Sequence, residues 1–146
     1  ILADNEPGAS NIIPADVNGD GRPDYVASRG HGKGILWFKS SPGKRQGAVN
    51  FELIDIDPEF ETPHSLDVAD IDDDGDMDIA SCGSLLTGVA AWYQNDGKGN
   101  FTKHVVGRDQ SSYDTRLIDL DNDGDLDMLI AGHFSKNLVW YENPLR

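Results

Sequence analysis

Short runs of apolar and β-branched residues alternate with polar turn residues along the whole chain. Runs such as 89–93 and 101–106 are bounded by Gly, Asp or Asn, as strands usually are. No segment sustains an apolar repeat of about 3.6 residues, so the pattern predicts strands and no helix. The sequence Asn-Asp-Gly-Lys-Gly-Asn at 95–100 is typical of a hairpin turn. The pattern therefore predicts an all-β chain.

The predicted strands fall into repeating units of four. In each unit the first strand precedes an acidic loop, the second follows it, the third carries a Trp-aromatic pair and the fourth completes the unit. The first strands are 66–69 and 117–120, the second 77–81 and 126–131, the third 89–93 and 138–141, and the fourth 51–56 and 101–106. Units of this length are typical of solenoids and propellers.

The acidic loop is the most specific motif in the sequence. The pattern D-x-[DN]-x-D-G-x-x-D occurs three times, beginning at Asp16, Asp70 and Asp119, which lie 54 and 49 residues apart. Carboxylates at every second position of a tight loop converge on one point and repel each other unless a hard cation lies between them. Calcium, which takes roughly six to eight oxygen ligands, fits this set. The glycine at the sixth position of each loop permits the sharp turn around the ion.

The net charge of −14 comes mostly from these loops. The first, second and third loops hold three, six and five acidic residues, and Arg22 is the only basic residue in them. Three calcium ions would add six positive charges and bring the net charge of −14 to −8. The acidity argues against a nucleic-acid partner, which needs a basic surface. No apolar run is long enough to span a membrane, so we expect no membrane insertion.

The loops, together with the segment VAAWYQNDGKGNFTKHVV at 89–106, resemble FG-GAP/VCBS repeats, the blades of calcium-binding β-propellers also found in integrin α-subunits. The resemblance covers nearly the whole chain. It implies that the first, third, fifth and ninth loop residues bind calcium by side chain and the seventh by its backbone carbonyl. The implied ligands of up to three calcium ions are Asp16, Asn18, Asp20, Arg22 and Asp24; Asp70, Asp72, Asp74, Asp76 and Asp78; and Asp119, Asp121, Asp123, Asp125 and Asp127. Asn18 removes a charge, so we expect weaker binding at the first loop.

The resemblance also implies propeller blades of four antiparallel strands. We predict a single propeller segment over 1–146, with blade 1 at about 8–57, blade 2 at about 58–107 and blade 3 at about 108–146, the last lacking its fourth strand. Ile1-Leu2 stands where the fourth strand of a preceding blade would end. Propellers usually have about four to eight blades, so we expect an arc that is completed by the rest of a larger propeller or by a second copy of the chain. The larger propeller is favoured, because the fourth strand at the junction is mostly missing.

Several polar residues that are scattered in the sequence are expected together on the face opposite the calcium loops. His64 and Tyr113 each lie six residues before the first aspartate of a loop, at the entry to an inner strand beside the channel. Arg29, His31, Arg116 and His133 are expected on the same face.

Four interpretations of this group remain open. His64, Tyr113 and Arg116 could be catalytic residues of a polysaccharide lyase, in which Arg neutralises a uronate carboxylate and His or Tyr takes the acidified proton. The group, with Arg29, His31 and His133, could instead bind a carbohydrate or protein ligand without chemistry. The three histidines could hold a second metal, since imidazoles suit zinc. They could also be ordinary loop residues.

Other conspicuous residues are predicted to be structural. The pairs Trp37-Phe38, Trp92-Tyr93 and Trp140-Tyr141 recur at one place in every unit, so we expect them to pack between blades and not to stack on sugars. The lone Cys82 follows an apolar run, which favours a buried, inert thiol.

The leading hypothesis is a calcium-stabilised β-propeller module of an extracellular or periplasmic protein that binds carbohydrate or protein. Extracellular calcium is plentiful enough for loops of modest affinity. A propeller-fold polysaccharide lyase, or another carbohydrate-active enzyme with its site opposite the calcium loops, is the alternative.

Overall fold

The computed structural model describes residues 2–86 and 88–144. These residues form three antiparallel sheets, which we call blades 1 to 3, and contain no helix. Blade 1 consists of β1 (Ala9–Ala15), β2 (Asp24–Arg29), β3 (Lys33–Pro42) and β4 (Val49–Glu61). Blade 2 consists of β5 (Pro63–Ala69), β6 (Asp78–Gly83), β7 (Val89–Asn95) and β8 (Phe101–Arg108), and blade 3 of β9 (Ser112–Ile118), β10 (Asp127–Gly132) and β11 (Leu138–Tyr141). The prediction of antiparallel, propeller-like blades is confirmed.

Strand order follows chain order in every blade, so neighbouring strands are joined by short connections. Two strands depart most from the prediction: β4 continues past residue 56 to Glu61, and β9 begins at Ser112 instead of residue 117. Pro58 falls within a register shift of the β3–β4 pairing, between the partners Asp57 and Glu61, where the proline does not have to donate a ladder hydrogen bond. Ile1 lies outside the described residues, and Leu2 belongs to no strand, so the predicted end of a preceding fourth strand is not observed.

Large apolar side chains fill the spaces between blades. One cluster joins blades 1 and 2 and includes Trp37 and Tyr93, and a second joins blades 2 and 3 and includes Ile71 and Met128. Trp37 is only 2% exposed, whereas Trp140 is 42% exposed. The predicted packing of the Trp-aromatic pairs between blades is therefore confirmed at the two junctions among the described residues, blade 1 with blade 2 and blade 2 with blade 3.

Cys82 belongs to the cluster between blades 2 and 3. Its thiol is buried and donates to the carbonyl oxygen of Gln110 at 3.3 Å. Burial raises the pKa of this thiol to about 12, so it stays protonated at neutral pH and is unreactive.

The first strands of the three blades are neighbours and are joined by side-chain hydrogen bonds. Ser10 Oγ donates to the carbonyl of His64 at 2.9 Å, which connects β1 to β5. Ser65 Oγ lies 2.7 Å from Thr115 Oγ1, and Asp67 accepts the backbone N–H of Leu117 at 3.0 Å, which connects β5 to β9. These bonds hold the inner strands in register with each other.

In blades 2 and 3, an asparagine just after the Trp-aromatic pair joins the blade to the acidic loop of the blade before it. Asn95 Nδ2 donates to the carbonyl of Val17 at 2.7 Å and to that of Met77 at 3.0 Å. Asn143 Nδ2 repeats this at the next junction, with the carbonyl of Ile71 at 3.0 Å. Val17 and Ile71 are the second residues of their loops, so this asparagine bridge fixes the loop backbone as well as the blade packing.

We expect Asn95→Ala to lower the free energy of unfolding by roughly 2–4 kcal/mol, because it leaves the buried Val17 carbonyl, and the half-buried Met77 carbonyl and Gly99 N–H, without their partner. Urea unfolding in calcium-containing buffer measures the loss. Asn50→Ala, at an exposed position on β4, is the matched control and should change stability by no more than about 0.5 kcal/mol. Equal stability of the two variants would contradict a bridging role for Asn95.

Candidate metal centres and the opposite face

The three acidic loops connect the first and second strands of their blades and share one backbone conformation. The first aspartate of each loop accepts the N–H of the sixth-position glycine: Gly21 on Asp16 at 2.7 Å, Gly75 on Asp70 at 2.9 Å and Gly124 on Asp119 at 3.2 Å. These glycines have φ of +80°, +94° and +100°. Left-handed backbone of this kind strongly favours glycine, which confirms the predicted reason for its presence.

The ninth loop residue is a fully buried aspartate in every blade: Asp24, Asp78 and Asp127. One oxygen of each accepts the backbone N–H of the residue that follows the blade's tryptophan by three positions: Ser40 at 2.6 Å, Asn95 at 2.8 Å and Asn143 at 2.9 Å. Burial raises the pKa of Asp78 to about 6, although these hydrogen bonds act in the opposite direction. The ninth aspartate is thus a structural anchor as well as a candidate ligand, a role that the sequence motif alone does not reveal.

Carboxylate oxygens converge in the second and third loops. In each of two groups, Asp70, Asp72 and Asp78, and Asp119, Asp121 and Asp123, one oxygen per residue lies within 4.8 Å of the others. Oδ1 of Asp72 and Oδ1 of Asp119 are buried and accept no hydrogen bond from any described residue.

In the second loop, desolvation and repulsion between the clustered carboxylates change the pKa of Asp76. The pKa of Asp76 is raised from its ordinary value, first by desolvation and then by repulsion from the neighbouring aspartates, beginning with Asp74 and Asp70. A cation would relieve the repulsion and satisfy the buried oxygens. Clustered carboxylates are a donor set that a hard divalent cation takes, so the residues fit such an ion.

The first loop differs from the other two. Asp20 accepts the side-chain amide of Asn18 at 3.1 Å and forms an ion pair with Arg22. No carboxylate triplet of the kind described above occurs among the described residues of this loop. The sequence pointed only to Asn18 as a weakening feature; the structure adds the ion pair between the Arg22 guanidinium and Asp20.

Four of the predicted residues on the opposite face come together as a continuous stack of rings. The ring centroids are 5.4 Å apart for His31 and His64, 4.2 Å for His64 and Tyr113, and 4.2 Å for Tyr113 and His133. Phe134, which the sequence did not single out, extends the row at 4.3 Å from His133. We call these five residues the ring stack. It runs across all three blades, because His31 belongs to blade 1, His64 to blade 2 and the others to blade 3.

His64 is the half-buried member of the ring stack. Its Nδ1 is buried and has no hydrogen-bond partner among the described residues. The pKa of His64 is lowered, first by burial and then by the positive charges that His31 and His133 can carry. The imidazole is therefore neutral at pH 7 and retains an unused nitrogen.

The two predicted arginines lie in ion pairs outside the ring stack. Arg29 binds the carboxylates of Glu6 and Asp55, the latter at 2.8 Å. Arg116 pairs with Asp114 at 2.9 Å. Their charges are neutralised locally, so neither of these two arginines presents a free guanidinium to the imidazoles.

A metal site built on three histidines is not formed by this geometry. Tyr113 lies between His64 and His133 and separates their rings. In the described part of the chain, no histidine belongs to a group of three residues whose metal-ligating atoms all lie within 4.8 Å of one another.

Comparison with protein families gives one match. A family model described as an FG-GAP-like repeat matches residues 16–81 and 82–143, which include all three acidic loops. The chain belongs to the FG-GAP-like repeat family. Comparison with curated proteins gave no significant match. Within 2–86 and 88–144, this FG-GAP-like chain has no helix long and apolar enough to cross a membrane.

Replacing His64 with Gln should make the stability of the protein less dependent on pH. Because the folded-state pKa of His64 is lowered, the unfolded chain binds more protons, and stability falls as pH drops through the unfolded-state value of about 6.5. Urea unfolding midpoints at about pH 7.5 and about pH 5.5 measure the effect. His104→Gln, which removes an imidazole stacked on Trp92 outside the ring stack, is the control. Identical pH dependence in the two variants would show that His64 carries no such linkage.

Proposed function

We propose that the protein is a calcium-stabilised β-propeller module of an extracellular or periplasmic protein, with the ring stack as its ligand-binding face. The observation that carries the calcium assignment is the convergence of carboxylates in two loops around buried, unsatisfied oxygens of Asp72 and Asp119. Calcium suits this donor set because it takes several carboxylate and carbonyl oxygens in a flexible shell. The millimolar calcium found outside cells suits open, exposed loops of this kind.

The second and third loops are the stronger calcium sites under this proposal. Each presents three converging carboxylates, whereas Asn18 and Arg22 already occupy Asp20 in the first loop. An ion at the first loop must displace the Arg22 guanidinium from Asp20, which lowers its net affinity.

Calcium would act on blade packing through the asparagine bridge. The carbonyls of Val17 and Ile71, which accept from Asn95 and Asn143, follow the first ligand of their loops directly. Ordering a loop around an ion therefore also orders the acceptor that the next blade uses. An ion that binds only the folded state stabilises that state by mass action.

Adding calcium at about one hundred times its dissociation constant should stabilise the protein by roughly 2.7 kcal/mol for each ion bound only in the folded state. Asp72→Asn should remove much of the stabilisation that the calcium ion at the second loop provides. In excess chelator the same variant should be as stable as the wild type or more stable, because it removes one of the repelling charges. Thermal melts with calcium and with chelator, together with calorimetric calcium titration, give both results.

Glu52→Gln is the matched control, since it removes an exposed carboxylate on β4, away from the loops. It should keep the full calcium increment. A melting temperature that is the same in calcium and in chelator would refute the calcium proposal, as would an Asp72→Asn protein with an unchanged calcium increment.

The ring stack supports ligand binding because it combines apolar and polar surface in one row. Tyr113 is 50% exposed and Phe134 is 52% exposed, and His31 and His133 are exposed as well. Imidazole nitrogens and the phenol can donate and accept hydrogen bonds, while the ring edges offer apolar contact. A carbohydrate presents hydroxyl groups and C–H surface in alternation, so it ranks first among the ligands, with a protein surface second.

A polysaccharide lyase is the second candidate function. The unpartnered Nδ1 of His64, on an imidazole with a lowered pKa stacked against Tyr113, is the observation that favours it. A neutral imidazole of this kind can accept a proton at neutral pH. Catalysis ranks below binding because Arg29 and Arg116, the groups that would neutralise a uronate, are held by carboxylates.

One experiment separates binding from catalysis. A uronate oligosaccharide and a neutral glucan oligosaccharide are titrated calorimetrically, and the formation of unsaturated uronate is followed in parallel. A binding module should bind without turnover and lose at least about tenfold in affinity in Tyr113→Ala. A lyase should show turnover that His64→Ala abolishes while binding persists. His104→Ala should behave as the wild type. Unchanged binding in Tyr113→Ala would refute the ring stack as the ligand site.

A further inference from the structure

The third ligand position of the first loop carries an asparagine that is followed by a glycine, and this pair occurs once in the chain, at Asn18-Gly19. The corresponding pairs are Asp72-Asp73 in the second loop and Asp121-Asn122 in the third. An Asn-Gly pair is chemically labile, because the backbone nitrogen of the second residue can attack the side-chain amide and glycine has no side chain to hinder it. In the first loop, therefore, a ligand position can change its chemistry.

The backbone around Gly19 leaves the attacking nitrogen accessible. Gly19 is exposed and has a left-handed conformation, with φ of +66°. Asp73 and Asn122, at the same loop position, have φ of +60° and +65°, so the turn belongs to the loop and does not require glycine. Among the described residues, no group accepts a hydrogen bond from the Gly19 N–H. This nitrogen is therefore left to solvent.

The side-chain amide of Asn18 is held at both of its polar atoms by Asp20. Asn18 Oδ1 accepts the backbone N–H of Asp20 at 3.3 Å, and Asn18 Nδ2 donates to Asp20 Oδ2 at 3.1 Å. Because Oδ1 bonds the N–H two residues further on, the amide folds back over the turn that contains Gly19. A donor at Oδ1 also stabilises the negative charge that this oxygen gains when a nucleophile attacks the amide carbon.

We propose that Asn18 is a site of spontaneous deamidation, and that its aspartate product completes the carboxylate set of the first loop. The reaction itself needs only water and the residues of the turn. Its consequence for metal affinity rests on the proposed calcium function.

The reaction consumes water and releases ammonia. A solvent base takes the Gly19 N–H proton, the nitrogen forms a bond to Asn18 Cγ, and the bond from Cγ to Nδ2 breaks as ammonia leaves with a proton from solvent. Water then opens the resulting cyclic imide. Cleavage between Cγ and the Gly19 nitrogen gives aspartate and restores the backbone. Cleavage of the other carbonyl bond of that nitrogen gives isoaspartate, whose backbone contains an additional carbon.

The closed loop favours the aspartate product. Asp16 accepts the N–H of Asp20 at 3.0 Å and that of Gly21 at 2.7 Å, and both bonds require a backbone of normal length between donor and acceptor. An additional backbone carbon between residues 18 and 19 would displace these donors. Aspartate keeps the loop conformation and places a carboxylate at the position that Asp72 and Asp121 hold in the other loops.

Aspartate at position 18 changes the electrostatics of the first loop in two ways. It adds a carboxylate beside Asp16 and Asp20, and it removes the amide that donates to Asp20. Clustered carboxylates repel one another in the absence of a cation and bind calcium in its presence. The first loop, which is the weakest site under the proposed function, therefore gains calcium affinity as the protein ages.

Peptide mapping by mass spectrometry tests the chemistry on the intact, folded protein after incubation in chelator at physiological temperature. Electron-transfer fragmentation separates aspartate from isoaspartate. We expect deamidation at Asn18 to be at least about tenfold faster than at Asn122, which is more exposed but precedes Asp123. This internal comparison separates the effect of the following glycine from that of exposure.

Gly19→Asn is the matched variant, because it copies the left-handed Asn122 of the third loop and adds no charge. A side chain fits at this position, since a Cβ on Gly19 would lie 3.7 Å from its nearest neighbour, the carbonyl oxygen of Gly97. The variant should deamidate at Asn18 at least about tenfold more slowly than the wild type.

Asn18→Asp encodes the product and tests the consequence. It is made in a protein that also carries Asp72→Asn and Asp121→Asn, so that the first loop dominates a calorimetric calcium titration. We expect at least about tenfold tighter binding than in the parent of this variant, and a lower melting temperature in chelator. Asn122→Asp in the same background adds an equal charge at a position that is not a ligand, and should leave the affinity unchanged.

Three results would overturn the proposal: deamidation at Asn18 no faster than at Asn122, isoaspartate as the main product, or equal calcium affinity of Asn18→Asp and its parent in a protein that binds calcium. Aspartate formation at Asn18 in a wild-type protein that binds no calcium at any loop would support the modification site and refute the proposed function. The two failures are therefore distinguishable.

Discussion

The architecture depends on one buried carboxylate in each blade, the ninth residue of the acidic loop. Asp78 accepts backbone N–H groups from Ile71, inside its own loop, and from Asn95, at the end of β7. Asp127 does the same with Leu120 and Asn143. A single side chain therefore holds the loop closed and positions the asparagine that reaches the neighbouring blade. Because the carboxylate is buried, removing these donors would leave its oxygens without hydrogen bonds, and that state is costly in free energy.

This arrangement separates the two faces of the molecule. Most of the negative charge lies in the loops, whose strands lead away to a face that holds the ring stack and the paired arginines. The loop carboxylates accept backbone N–H groups of their own loops, and Asp20 also pairs with Arg22. On the other face, Arg29 and Arg116 are paired with carboxylates, and the ring stack presents rings and hydrogen-bonding groups. The same strands connect both faces, so the loops can affect the stability of the ring stack without any contact with it.

Features that depend on local spacing could be predicted from the sequence, and features that depend on distant partners could not. The turn glycines and the equivalent positions of His64 and Tyr113 follow from counting within a repeat, and the structure places those two rings 4.2 Å apart. The neutralisation of Arg29 by Glu6 and Asp55 depends on residues 23 and 26 positions away, and no motif signals it. Likewise, the extension of β4 beyond Pro58 depends on where the register with β3 shifts.

The asparagine bridge connects successive acidic loops. Each asparagine reaches back to the loop before it, as Asn95 does to Val17 and Asn143 to Ile71. Ser40, at the corresponding place in blade 1, has a buried hydroxyl with no described partner. The asparagine side chains of the two bridges also donate to the carbonyls of Met77 and Leu126 in the loops of their own blades. Each bridge therefore ties two successive loops together, and a disturbance in either loop is transmitted through one asparagine to the other.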